Sequence, residues 1–261
     1  MQSVHRRAPP RRRASLLKPA TLLGLATSLR HLVSTGAALL LAGCMGLPVA
    51  NLPAGTRAET PRYEVGERWV YRAQDGYLSP VTWEEIHEVI RADADGIEIR
   101  VTQRGPGVDA NRIERLRAPG EVKVGAVFDA ESRTFEPILV RYDFPLAPGK
   151  TWNQWLHSVD PTTGRAGDIN RYVRVGGWRR IATPAGTFDA IALTVVMRLD
   201  DGEFWRDPTD CTYQLWYAPA VGAVVRADKD ALYYEKSGKL DSGPILSQHA
   251  RLELVAHRAA R

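Results

Sequence analysis

A chain of 261 residues with 35 Lys/Arg against 30 Asp/Glu, formally +5, looks basic enough for a nucleic acid, but seven of its basic residues and none of its acidic ones precede Cys44. Setting residues 1–43 aside leaves 218 residues with 28 basic and 30 acidic side chains, a net charge of −2 and no Lys/Arg patch interleaved with aromatics, which excludes nucleic-acid binding. That length suits one domain, and Cys44 and Cys211 alone supply neither an internal disulfide framework nor a cysteine-based metal site.

The first predicted element is a leader. Arg6, Arg7, Arg11, Arg12, Arg13, Lys18 and Arg30 come without an acidic residue before an apolar run, Val33 to Ala42, that is too short to cross a bilayer but long enough for the core of a signal peptide. The run closes in Leu41-Ala42-Gly43-Cys44, with a small residue where a peptidase must approach the backbone. Pro9, Pro10 and Pro19 lengthen the basic segment, through a start further downstream or through an extended leader. Arg12-Arg13-Ala14-Ser15-Leu16-Leu17-Lys18 faintly resembles a twin-arginine signal, but Ser15 stands at its apolar position, which favours the general secretory route.

Met45 to Pro61 is rich in Gly, Pro and Ala without a period and reads as a flexible tether. Strands follow. Arg68 to Ala73 places Trp69 and Tyr71 on one face, and Val81 to Ile90 leads through Asp95-Gly96 into the strict alternation of Ile97 to Val101, a hairpin signal. From Gly105 to Arg141 the pattern weakens, with short strands expected around Val122, Val124, Val127 and Phe128 and around Phe135, Ile138 and Val140. Tyr142 to Trp152, with Pro145, Pro148 and Gly149, reads as a turn-rich crossing.

Tyr172 to Val175 and Trp178 to Ile181, parted by Gly176-Gly177, read as a second hairpin; Ala190 to Leu199 is the most apolar strand. Cys211 to Tyr217, Val224 to Ala227, Leu232 to Tyr234 and Leu252 to Val255 complete the strands, and no long window keeps a helical period. The fold expected is all-β and mainly antiparallel, a curled meander sheet, open barrel or sandwich. Its parts are a signal peptide over 1–43, a tether over 44–61, one β domain over 62–257 and a tail over 258–261.

Two resemblances add to this reading. Leu41-Ala42-Gly43-Cys44 after its charged and apolar flank resembles the lipobox of bacterial lipoproteins. The resemblance implies cleavage between Gly43 and Cys44, lipidation of the Cys44 thiol and new amino end, and attachment to the membrane through acyl chains on Cys44. Met45 after that cysteine favours the outer over the inner membrane by the retention rule of enteric lipoproteins, with the domain facing the periplasm. Phe144-Pro145-Leu146-Ala147-Pro148-Gly149-Lys150-Thr151-Trp152, Pro184 to Ala190 and Trp216 to Gly222 look like the signature of uncharacterised envelope β proteins. These are similar in outline to lipoprotein carriers of the LolA and LppX type, which implies a curved sheet around an apolar hollow.

Chemistry is sparse. Glu84, Glu85, His87 and Glu88 are the densest ionisable cluster, with Trp83, Glu85 and His87 on one strand face; a solvated face explains them better than a metal site, which needs a second His. His157, Asp160 and Cys211 are the residue types of a nucleophilic triad, although Cys211 equally reads as a small buried hydrophobe. Asp93-Ala94-Asp95-Gly96 starts like a calcium loop but puts Ile97 where an oxygen ligand should follow. Tryptophans are conspicuous. They fill a core, or some of them, Trp69, Trp83, Trp178 and Trp216, line an interior that takes an acyl chain.

The function expected is a lipid-anchored cell-envelope lipoprotein without a cofactor, binding an apolar ligand or an envelope protein partner and leaning away from enzymatic activity. The alternatives are an envelope hydrolase using Cys211 with His157 or His87, and a structural scaffold of an envelope complex.

Overall fold

The computed structural model describes residues 50, 52–53, 55–128, 130–236 and 243–260. The expected signal peptide, its cleavage site at Gly43 and the lipidation site Cys44 lie outside the described residues.

Twelve strands follow one another: β1 (Arg68–Asp75), β2 (Val81–Asp93), β3 (Gly96–Gly105), β4 (Val108–Ala118), β5 (Glu121–Gly125), β6 (Arg133–Val140), β7 (Thr151–Val159), β8 (Ala166–Thr183), β9 (Gly186–Asp200), β10 (Thr209–Ala218), β11 (Ala223–Tyr233) and β12 (Ile245–Arg258). Each pairs antiparallel with its neighbours in sequence. β1 pairs β12 from Arg68↔Arg258 to Asp75↔Ala250 and closes the ring. The all-β, antiparallel expectation holds, and the barrel is closed rather than open. Closure gives every described strand a partner on both sides, although β6 and β7 pair only from Thr134↔Val159 to Glu136↔His157, and it reduces the aggregation hazard of an open meander.

The inward face is set by alternation. Along β9, Leu193, Val195, Met197 and Leu199 point inward while Val196, Arg198 and Asp200 face out, and β10 answers with Cys211, Tyr213, Leu215 and Tyr217. Burying each such aliphatic side chain contributes about 1.5–3 kcal/mol. Leu193 is fully buried. Leu193→Ala is therefore expected to cost about 3 kcal/mol, through lost transfer energy and an unfilled hole, read as a lower urea midpoint at unchanged slope.

Three sequence expectations change. Gly176-Gly177 is not a hairpin turn: β8 runs straight through, and two residues there oppose the single Ala192 as a β-bulge. β4 was not foreseen, because its inward positions 112 and 114 carry Arg and Glu instead of apolar residues. β7 begins inside the expected crossing, and its exposed Trp155 breaks the apolar alternation that would mark it as a strand.

The two ends of the barrel differ. At one, which we call the lower end, the chain from Thr56 to Glu67 lies across the opening. Ala58, fully buried, exchanges backbone hydrogen bonds with Leu146, each 2.8 Å, and Trp178 Nε1 donates to the Thr56 carbonyl at 3.0 Å. Trp69 Nε1 donates to the Val221 carbonyl at 2.7 Å. Thr56 and Ala58, within the stretch expected as a tether over 44–61, are held by these hydrogen bonds. Gly120 sits in the β4–β5 turn with φ of +87°, and a Cβ there would stand 2.3 Å from the Tyr142 carbonyl oxygen, so only glycine fits.

The upper end carries the β1–β2, β5–β6, β9–β10 and β11–β12 connections. Tyr77, Leu78, Val81, Phe204, Trp205, Tyr234, Ile245 and Leu246 are all exposed there. The β5–β6 and β9–β10 loops, with the β7–β8 loop also at this end, are held together at Asp201, whose carboxylate takes Arg133 and Arg206 at 3.0 Å each and Arg165 at 3.2 Å.

Candidate functional site

Within the ring lies a cavity of about 830 Å³, a volume typical of sites for small organic ligands. Trp69, Tyr71, Ile99, Leu139, Val195 and Leu252 give it apolar walls from strands all round the barrel. The lining extends to Tyr77, Val81 and Leu246, which are also exposed, so the cavity opens through the upper end. Below, it stops at Tyr63 and Gly222, where the Tyr63 hydroxyl donates to the Gly222 carbonyl at 3.3 Å.

Charged side chains interrupt these walls. Glu85, nearly fully buried on β2, accepts hydrogen bonds from Gln103 Nε2 at 2.6 Å and Trp83 Nε1 at 3.3 Å, and lies 2.7 Å from His87 Nε2. Burial raises its pKa, but the His87 hydrogen bond and charge, with Arg112 and Lys229, outweigh burial and hold it well below the usual carboxylate range. Glu114 on β4 accepts from Arg141 Nη1 at 2.7 Å and lies 3.6 Å from Arg112 Nε. Here too burial pushes upward, and Arg141 and Arg112 bring the pKa down to about 2.

A carboxylate depressed in the folded state contributes stability that is present above its unfolded value of 4.5 and lost as pH falls toward about 2. From Glu114 this amounts to about 3 kcal/mol. Thermal melts between pH 7 and pH 2 are expected to fall steeply below pH 4.5, and Glu114→Gln to be less stable at pH 7 and flatter in acid.

Cations outnumber these carboxylates. Arg112, Arg141, Arg171 and Lys229 face Glu85 and Glu114, with Asp75 adding a third carboxylate at the rim. Arg171 is 5% exposed and donates from Nη1 and Nη2 to the carbonyls of Val140 and Arg141 at 3.1 and 3.2 Å. Burial lowers its pKa to about 10, which still leaves it charged at neutral pH. Lys229 Nζ lies 5.6 Å from the Tyr213 ring, and burial pulls its pKa down as well.

Of the tryptophans expected to line a hollow, Trp69 and Trp83 border the cavity. Trp178 and Trp216 do not. Trp178 lies past the β8 bulge against Thr56, and Trp216 is buried with the Arg226 guanidinium 5.1 Å from its ring. The face of Glu85 and His87, expected to be solvated, is the interior one; only Glu84 and Glu88 of that cluster point outward, Glu88 to Arg100 at 3.4 Å. His157 is exposed and paired with Asp168 at 2.9 Å, while Cys211 is buried on the inward face three strands away. The fold does not bring His157 and Cys211 together, and Cys211 does not border the cavity. Asp160 holds the β7–β8 turn, accepting from Thr162 N at 2.7 Å and Thr163 Oγ1 at 2.8 Å.

Sequence reading missed Arg112, Glu114, Arg141, Arg171 and Lys229. A signal existed for Arg171 and Lys229: each takes an inward place in an apolar alternation, Ile169-x-Arg171-x-Val173 and Ala227-x-Lys229-x-Ala231.

No protein-family model matches the chain, and no curated protein matches it in sequence. Among solved structures, one similar chain is a Bacteroides fragilis protein provisionally described as exported, with a YmcC-like fold. It is 13% identical with a TM-score of 0.46, over 77% of this chain and 99% of that one. Another, provisionally described as a lipoprotein of Parabacteroides distasonis, is 15% identical with a TM-score of 0.44, over 79% of this chain and all of that one.

Proposed function

We propose that the protein is an exported envelope lipoprotein, anchored through acyl chains on Cys44, whose barrel binds an apolar or amphiphilic ligand in its interior. The anchor rests on Leu41-Ala42-Gly43-Cys44 and its flanks; Met45 favours the outer membrane, with the barrel facing the periplasm. The single observation that carries ligand binding is the cavity of about 830 Å³ with aromatic and aliphatic walls, open at the end where eight large apolar side chains are exposed. The ligand enters between those side chains and displaces water from walls that gain by losing it.

Trp69 and Trp83 on the cavity wall are built-in reporters. Titrating the purified chain with decanoate, decanol and short-chain phospholipid is expected to change tryptophan emission saturably, with matching calorimetric heats. Absence of both signals with all of them would rule out ligand binding in the interior.

A further inference from the structure

We infer that the cavity selects amphiphiles with an anionic oxygen head group, a carboxylate or a phosphate, and holds that group at Arg112, Arg171 and Lys229. This rests on the interior-binding reading above and adds the chemistry of the ligand.

The argument is one of unmet charge. Glu85 is engaged by Gln103, His87 and Trp83, and Glu114 by Arg141, by Ala126 N and, at 3.6 Å without a hydrogen bond, by Arg112. Arg112 nevertheless keeps Nε and Nη1 buried without a hydrogen-bond partner among the described residues. Arg171 has carbonyl partners and no carboxylate within ion-pair distance, and Lys229 Nζ has neither hydrogen bond nor ion pair among the described residues. Four cations against two carboxylates inside leave a net +2, and counting Asp75 at the rim still leaves +1.

Buried cations that lack a counter-ion, as Arg171 and Lys229 do among the described residues, or that keep unmet donors, as Arg112 does, are costly, and adding a partner changes such a site strongly. A neutral ligand supplies no acceptors for these groups and leaves the deficit in place. An anionic head group supplies the missing acceptors: a planar carboxylate or a phosphate matches the fork of a guanidinium and shortens its hydrogen bonds. The alkyl part lies along Trp69, Ile99, Leu139 and Leu252. A cationic amphiphile is repelled by the same groups.

Calorimetric titration of the full chain at pH 7.5 with decanoate, decyl phosphate, decanol and decylamine tests this. At least one of the two anions is expected to bind about tenfold or more tighter than decanol, and decylamine more weakly than decanol. Whichever anion binds tighter identifies the head group as carboxylate or phosphate. Arg112→Met and Lys229→Met are expected to erase most of that preference, lowering anion affinity far more than decanol affinity. Lys229→Met, which removes an unpaired cation beside Tyr213, is also expected to raise the melting temperature of the empty barrel by about 2–4 °C, which guards against misfolding as the cause.

Equal affinity for decanol and both anions, or preference for decylamine, would overturn the head-group assignment while interior binding stood. An anion preference intact in both variants would overturn the assignment to these residues. Failure of every ligand to bind would remove the interior-binding reading, and this one with it.

Discussion

Ala227→Trp is expected to weaken decanoate binding about 100-fold or more without destabilising the barrel. Ala227 lies on β11 facing inward, 4% exposed, between Val225 and Lys229, and its neighbours across the sheet are Leu215 and Leu252. It borders the cavity, so an indole built from its Cβ projects into the space the ligand would fill. Losing a ligand's apolar contact area on that scale costs roughly 3 kcal/mol, which is about a hundredfold in affinity. The empty protein gains instead, because filling a hollow with apolar atoms commonly adds about 0.5–2 kcal/mol. Calorimetry and a thermal melt on the same sample separate the two effects. Unchanged affinity in a folded variant would place the ligand elsewhere than in the barrel interior.

Asp201→Asn is expected to cost about 3 kcal/mol, a fall of roughly 6–12 °C in melting temperature for a domain of this size. The side chain is 4% exposed and sits among the guanidinium groups of Arg133, Arg165 and Arg206, of which Arg133 is itself only 3% exposed. Removing the one negative charge leaves three cations facing a neutral amide. Glu131 at 2.9 Å from Arg133 and Glu203 beside Arg165 relieve part of the repulsion, which keeps the loss near the low end for a broken buried pair. Asp207, half exposed and 3.9 Å from Lys236, is the control: Asp207→Asn should change stability by less than about 0.5 kcal/mol. Because Asp201 ties three upper loops beside the cavity mouth, its loss should also raise hydrogen exchange there before it does in β9.

Much of the fold was legible in the sequence. Period-two alternation placed β1 and β3, apolar runs marked β2 and β9, and Asp95-Gly96 marked the β2–β3 hairpin, because strand geometry and positive φ are local demands that residues meet locally. β4 escaped because two of its inward positions are charged, and those two, Arg112 and Glu114, belong to the candidate site. The departure from apolar patterning that hid the strand is the feature that gives the cavity its chemistry. Residue type alone suggests a lining for Trp178 and Trp216, but type does not say which side of a sheet a ring faces.

What the sequence determined by itself was the antiparallel strand class and the positions of most turns, each fixed by neighbours within about ten residues. What only the tertiary structure decided was closure of β1 on β12, which face of Trp83, Glu85 and His87 lies inside, and which charges meet. Arg141 reaches Glu114 from 27 residues away, and Trp69 meets Val221 from 152. A strand with polar residues on both faces carries no local preference for either, so its inward side is chosen by the register of its neighbours and by the ring they complete.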